Sequence, residues 1–209
     1  MKLEFFDISS FDIFYPLLKT TFPENELIPI HHHQKMFSRI NFYGRQHQDF
    51  SAFIIGYQFE DYLFLELFMV QKQLRNQGIG QNFLKEILKE ANTPIILEVE
   101  HPTNNLTKRR IAFYERLGFH LNICDYKMPI FDEEHGGVPL YLMSYPNKLT
   151  EREIIEYSSK IYKDVYFIWY TSYCFSNIFS IIFATPSSLQ SGAIYLAIFL
   201  ISSSPFSIA

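Results

Sequence analysis

The stretch Tyr62–Glu90, YLFLELFMVQKQLRNQGIGQNFLKEILKE, decides the fold. Its first part is an apolar run broken once by Glu66, which reads as a buried strand. Its last part puts Ile79, Phe83, Leu84, Ile87 and Leu88 on one helical face, stopped by Asn92-Thr93-Pro94. Between them lies LRNQGIG, with two glycines one residue apart. A strand that turns into a helix through Arg75, Asn76 and Gln77 leaves the N–H groups of Gln77, Gly78, Ile79, Gly80 and Gln81 at the positive end of the helix dipole. Such donors suit a pyrophosphate, with Arg75 as a bidentate cation at the rim. A P-loop would need Lys followed by Ser or Thr, and a dinucleotide fingerprint would need glycine where Phe83 stands. A tight strand-to-helix connection with no ligand stays open.

Upstream, FSAFIIGYQFEDYLFLELFMV reads as a hairpin turning at Glu60-Asp61. Before it, a short strand precedes an amphipathic helix bearing Ile13, Phe14, Leu17 and Leu18 and ending at Pro23. The segment IPIHHHQKMFSRINFYGRQ is expected to be loop or short helix. Downstream come the strand IILEVE, the helix LTKRRIAFYERLGF closed by Gly118, and the strands HLNICDYKM and PLYLMSY. A last helix, TEREIIEYSSKIY, opens with a capping box of Thr150 and Glu153. This order predicts an α/β or α+β domain around one central sheet.

The net charge of -4 offers no basic stripe, so nucleic acid is not an expected partner. Cys124 and Cys174 form no disulfide framework, and the N-terminus lacks the apolar stretch of a secretory signal; both predict a cytoplasmic protein. Every Lys, Arg, Asp, Glu and His lies at or before Asp164. Residues 1–164 are therefore read as the folded domain and 165–209 as an uncharged apolar tail. The tail is long enough for a membrane helix, but Thr171, Ser172, Ser176, Asn177 and Ser180 weaken that reading. Three readings stay open: membrane contact, a partner or homodimer segment, and an altered reading frame. Adjacent His31, His32 and His33 cannot all converge on one ion, so no metal is expected and a substrate-side loop is the better reading.

Two motifs in the right order, FMVQKQLRNQGIGQNFL and then AFYERLGF, resemble the GNAT superfamily of N-acetyltransferases over roughly Leu3–Pro146. The resemblance implies a central, mostly antiparallel sheet with splayed strands flanked by helices. It implies acetyl-coenzyme A as co-substrate, with its pyrophosphate in the Arg75–Gln81 loop. The pantetheine would lie along the backbone of Phe68, Met69 and Val70. Tyr114 would stand beside the coenzyme sulfur as acid to the departing thiolate. Many members carry Asn and Ala where Thr107 and Arg110 stand, so the coenzyme contact of that Asn passes to Asn104 or Asn105. Arg109 and Arg110 stay open between the adenosine phosphate and a solvated helix face.

Acetyl transfer to an amine needs a neutral nitrogen, yet a lysine-like amine of pKa about 10.4 is neutral only about once in a few thousand molecules at pH 7. A general base therefore helps. Glu66, a carboxylate in an apolar strand, and Glu98, which shares one face of ILEVE with Glu100, are the candidates beside a water relay. Strand parity alone does not choose the face of Glu66. The acceptor, a small-molecule or peptide amine, is not legible, because acceptor choice lives in loops. A domain that binds acyl-coenzyme A without turnover, as sensor or scaffold, is the second reading.

Overall fold

The computed structural model describes residues 3–21, 34, 37–39, 41–128 and 137–166, all within the unit Met1–Ile168. Among these residues seven strands form one sheet: β1 Glu4–Phe5, β2 Phe42–His47, β3 Ala52–Gln58, β4 Leu63–Val70, β5 Ile95–Glu100, β6 His120–Met128 and β7 Val138–Tyr145. Their order is β1-β2-β3-β4-β5-β7-β6, and every pairing is antiparallel except β4 with β5. The helices are α1 Phe11–Thr21, α2 Ile79–Glu90, α3 Asn105–Glu115 and α4 Glu151–Asp164.

Two apolar clusters follow from strand alternation. One joins Phe14 and Leu18 of α1 and Ile161 of α4 to Phe53, Ile55, Phe64 and Ile96. The other joins Phe83, Leu84 and Ile87 of α2 and Ile111 of α3 to Ile54, Leu65, Ile95 and Leu97. The helical stripe read from Ile79 to Leu88 thus packs as its spacing requires.

Two irregularities in β4 shape the centre. The β3–β4 register pairs Gly56 with Leu65 and Ile55 with Leu67, so Glu66 is one residue too many and forms a β-bulge. Glycine is required opposite: a Cβ on Gly56 would lie 2.1 Å from the Phe64 carbonyl oxygen. The bulge inverts the parity of the strand. Leu63 and Leu65 belong to the second cluster before it, and Phe68 and Val70 after it. The second irregularity is the end of the parallel pairing. It runs only from Leu63↔Ile95 to Leu65↔Leu97, while β4 continues to Val70 and β5 to Glu100. The two strands part beyond that point and open a cleft in the sheet, the splay that the resemblance implied.

Three expectations are corrected. The segment from Phe42 onward, expected as loop or short helix, is strand β2, paired with β3 from Phe42↔Tyr57 to His47↔Ala52. Gly44 hides it in the sequence; a Cβ there would come 2.7 Å from the Phe6 carbonyl oxygen. Ile13 is not on the buried face of α1 but 57% exposed, because Phe14 and Leu18, four apart, form the contact stripe. Val165 and Tyr166, placed at the head of the tail, are buried. Arg39 donates to the carbonyls of Asp164 (3.0 Å) and Val165 (2.9 Å) and holds them there. The rest of the tail and the His31–His33 stretch lie outside the described residues. Among the described residues no helix is long and apolar enough to cross a membrane.

Candidate active site

At the end of β4 the chain makes a short 3-10 turn, Lys72–Leu74, and reaches α2 through two left-handed residues, Asn76 (φ +62°) and Gly78 (φ +79°). Asparagine and glycine are the types that tolerate this conformation. A Cβ on Gly78 would meet nothing within 4 Å, so the cap backbone faces open space. Gly80 has the opposite reason: a Cβ would lie 3.1 Å from Val70 Cγ2 and 3.3 Å from Phe68 Cζ, so glycine lets α2 close on β4. Asn82 N–H donates to the Gly78 carbonyl at 2.9 Å, and the N–H groups of Ile79, Gly80 and Gln81 precede this bond as first-turn donors. Arg75 Nε donates to the Val70 carbonyl at 3.0 Å, tying the loop to the strand end.

The start of α3 is differently built. Asn104 Oδ1 accepts from the N–H of Leu106 (2.8 Å) and of Thr107 (3.0 Å), and the Thr107 hydroxyl accepts from the Asn104 N–H. Asn104 is therefore occupied as a cap, while Asn105 is exposed in the first helical turn. Arg110 pairs with Glu100. Glu100 thus turns to α3 instead of joining Glu98.

The structure brings Glu66, Glu98 and Tyr114 together. They line one cavity of about 30 Å³ where β4 and β5 part, walled by Ile54, Leu65, Phe68, Leu84 and Leu97. That volume accommodates a single water molecule. Glu66 Oε2 is buried and has no hydrogen-bond partner among the described residues. Burial, then the Glu98 charge, pushes the Glu66 carboxyl up to about 8; the Tyr57 hydroxyl and the Arg39 guanidinium oppose this. Glu98 accepts from the hydroxyl of Tyr126, and from that of Tyr166 at 3.1 Å to Oε1 and 2.9 Å to Oε2. Burial raises Glu98 to about 7 against those donors. Burial holds Tyr114 at about 12, partly offset by Arg110, so it remains a phenol. Tyr57, Tyr126, Tyr166 and Arg39 carry no motif in the sequence, and only the fold assembles them here.

These shifts carry a stability consequence. Both carboxyls ionise in the fold above the usual 4.5. Between that value and about 8 the folded chain binds more protons than the unfolded chain, so stability is greatest at the acid end and falls as pH rises. The urea midpoint is expected to drop from pH 5 to pH 8 more in the wild type than in Glu66→Gln. Equal drops in the two proteins would contradict a raised Glu66.

Residues 38–121 match the family described as an acetyltransferase (GNAT) domain. Over 112 residues the chain is 29% identical to YjbC of Bacillus subtilis (strain 168), described as an acetyltransferase; the match spans 52% of this chain and 58% of YjbC. The fold is similar to that of a protein from Bacteroides thetaiotaomicron described as a GNAT-family acetyltransferase. The TM-score is 0.74 at 30% identity, covering 81% of this chain and 100% of that one. A likeness of fold alone extends to Naa50 of Arabidopsis thaliana, solved with the bisubstrate analogue CoA-Ac-MVNAL, at TM-score 0.53 and 19% identity over 71% of this chain and 98% of that one.

Proposed function

The chain belongs to the GNAT family of acetyltransferases, and on that premise we propose that it transfers an acetyl group from acetyl-coenzyme A to an amine by direct attack in a ternary complex. One observation carries this reading. Strand β4 stays paired with β3 to Val70 but parts from β5 after Leu65, with the Glu66–Glu98–Tyr114 cavity where they part and the α2 N-terminus beyond its far end. A thioester donor could therefore be held by its diphosphate while its acyl end reaches the carboxylates.

The amides of Gln77 and Gly78 and the first-turn amides of α2, Ile79 to Gln81, with Arg75 and Asn76 beside them, would hold the pyrophosphate. Phe68, Met69 and Val70 would hold the pantetheine through the main-chain groups of β4 that turn away from β3, since β5 no longer pairs there. An amide near Met69 or Val70 would polarise the acetyl carbonyl. In the transfer the amine nitrogen bonds to the carbonyl carbon and the carbon–sulfur bond breaks, the sulfur leaving with the bonding pair. Glu66 or Glu98 takes the proton the nitrogen gives up, directly or through a water in the cavity. Tyr114 donates its hydroxyl hydrogen to the departing sulfur. A phenol at about 12 is a weaker acid than a thiol near 8.5, so complete transfer would run uphill by roughly 5 kcal/mol. Tyr114 therefore acts mainly as a hydrogen-bond donor, and solvent supplies the thiol proton.

The test is calorimetry of the full chain with coenzyme A, followed by coenzyme A release from acetyl-coenzyme A over a panel of small amines and peptide N-termini. Binding with turnover of an amine is expected. Binding without turnover of any amine supports the non-catalytic acyl-coenzyme A sensor instead. Failure to bind coenzyme A overturns both.

A further inference from the structure

The two carboxyls in the cavity are equipped differently. Glu98 receives donors on both oxygens from two phenols, Tyr126 on β6 and Tyr166 just beyond α4. Such donors favour the charged form of a carboxylate and weaken it as a proton acceptor. Glu66 has no donor on Oε2 and meets the negative charge of Glu98 across the cavity. A carboxylate with one oxygen bare, beside a neighbour that accepts on both oxygens, is the more basic of such a pair. Tyr166 is held by its own scaffold. Arg39 donates to the two carbonyls that precede it, and the Arg39 guanidinium lies 4.7 Å above the ring of Tyr57, whose hydroxyl meets Glu66.

We propose that Tyr126 and Tyr166 are positioning residues that hold Glu98 as the anion of the pair and thereby make Glu66 the group that takes the proton from the acceptor amine. The proposal rests on the acetyl-transfer reading above. It gives the first residues beyond α4 a part in the chemistry, since Tyr166 acts through Glu98. The groups facing the pair come from every packed element. They are Tyr57 of β3 and Arg39 before β2 on the Glu66 side, Tyr126 and Tyr166 on the Glu98 side, and Tyr114 of α3 across the cavity.

The experiment has two arms on the full chain, using Tyr166→Phe and Tyr126→Phe, which keep the ring and its packing. In the first, glutamate carboxyl carbons are titrated by carbon-13 NMR without any ligand, with Glu66→Gln and Glu98→Gln assigning the two signals. Loss of a phenol donor is expected to raise the Glu98 midpoint and to lower the Glu66 midpoint by about 0.5–1 pH unit, because a neutral Glu98 no longer repels charge on its neighbour. Unmoved midpoints in folded variants overturn the proposal. In the second, coenzyme A release from acetyl-coenzyme A is followed against pH with the best acceptor of the amine panel. The alkaline rise of kcat/KM is expected to move to lower pH in both variants. A move to higher pH makes Glu98 the proton acceptor and sinks the assignment. A wild type that turns over no amine removes the acetyl-transfer reading and with it the proton assignment, whereas the NMR arm still judges whether the tyrosines hold Glu98 charged.

Discussion

Glu66→Gln is expected to lower kcat/KM for acetyl transfer by about 10²–10⁴-fold, the range that a positioned general base supplies. Glutamine keeps the volume and reach of the side chain but cannot accept a proton. Coenzyme A affinity should stay within about twofold, because the α2 amides and the β4 edge are untouched. Stability should move the opposite way from activity. Removing a carboxyl that burial and Glu98 keep unfavourable should leave the variant at least as stable as the wild type at pH 8. A side chain kept only for packing would show the reverse, losing stability and sparing rate. Steady-state kinetics and urea unfolding at pH 8 separate the two, and a rate loss smaller than about tenfold would hand the proton to Glu98.

Tyr114→Phe is expected to cost about 10²-fold in kcat, near the low end of what one lost donor to a developing charge costs. The ring should stay where it is, against Phe113 (centroids 5.3 Å apart) and Phe119 (5.6 Å), so the fold and coenzyme affinity should survive. The measurement is single-turnover coenzyme A release beside calorimetric binding. An unchanged rate would reduce Tyr114 to an aromatic packed between α3 and the sheet. A rate loss matched by an equal loss of binding would mean that the hydroxyl holds the coenzyme without stabilising its departing sulfur.

Much of the fold is legible because it is written in short-range chemistry. The 3.6-residue stripe from Ile79 to Leu88 makes α2, and Phe83, Leu84 and Ile87 are buried as that stripe requires. The turn at Gly78 needs a positive φ, and glycine announces it locally. The capping box of Thr150 and Glu153 is likewise complete within four residues.

Other features depend on partners far along the chain. β2 exists because β3 and β1 pair with it, against its weak local pattern and its glycine. Alternation along LFLELFMV cannot orient Glu66, because one extra residue against Gly56 inverts the count, and that bulge is a property of the β3–β4 register. The cavity forms because β4 and β5 stop pairing after Leu65 and Leu97. Tyr126 and Tyr166 reach Glu98 across separations of 28 and 68 residues. Local spacing carries no information over such distances. Side-chain identity is set residue by residue, but which carboxylate receives donors on both oxygens and which keeps one oxygen bare is set by packing, and only the folded sheet decides it.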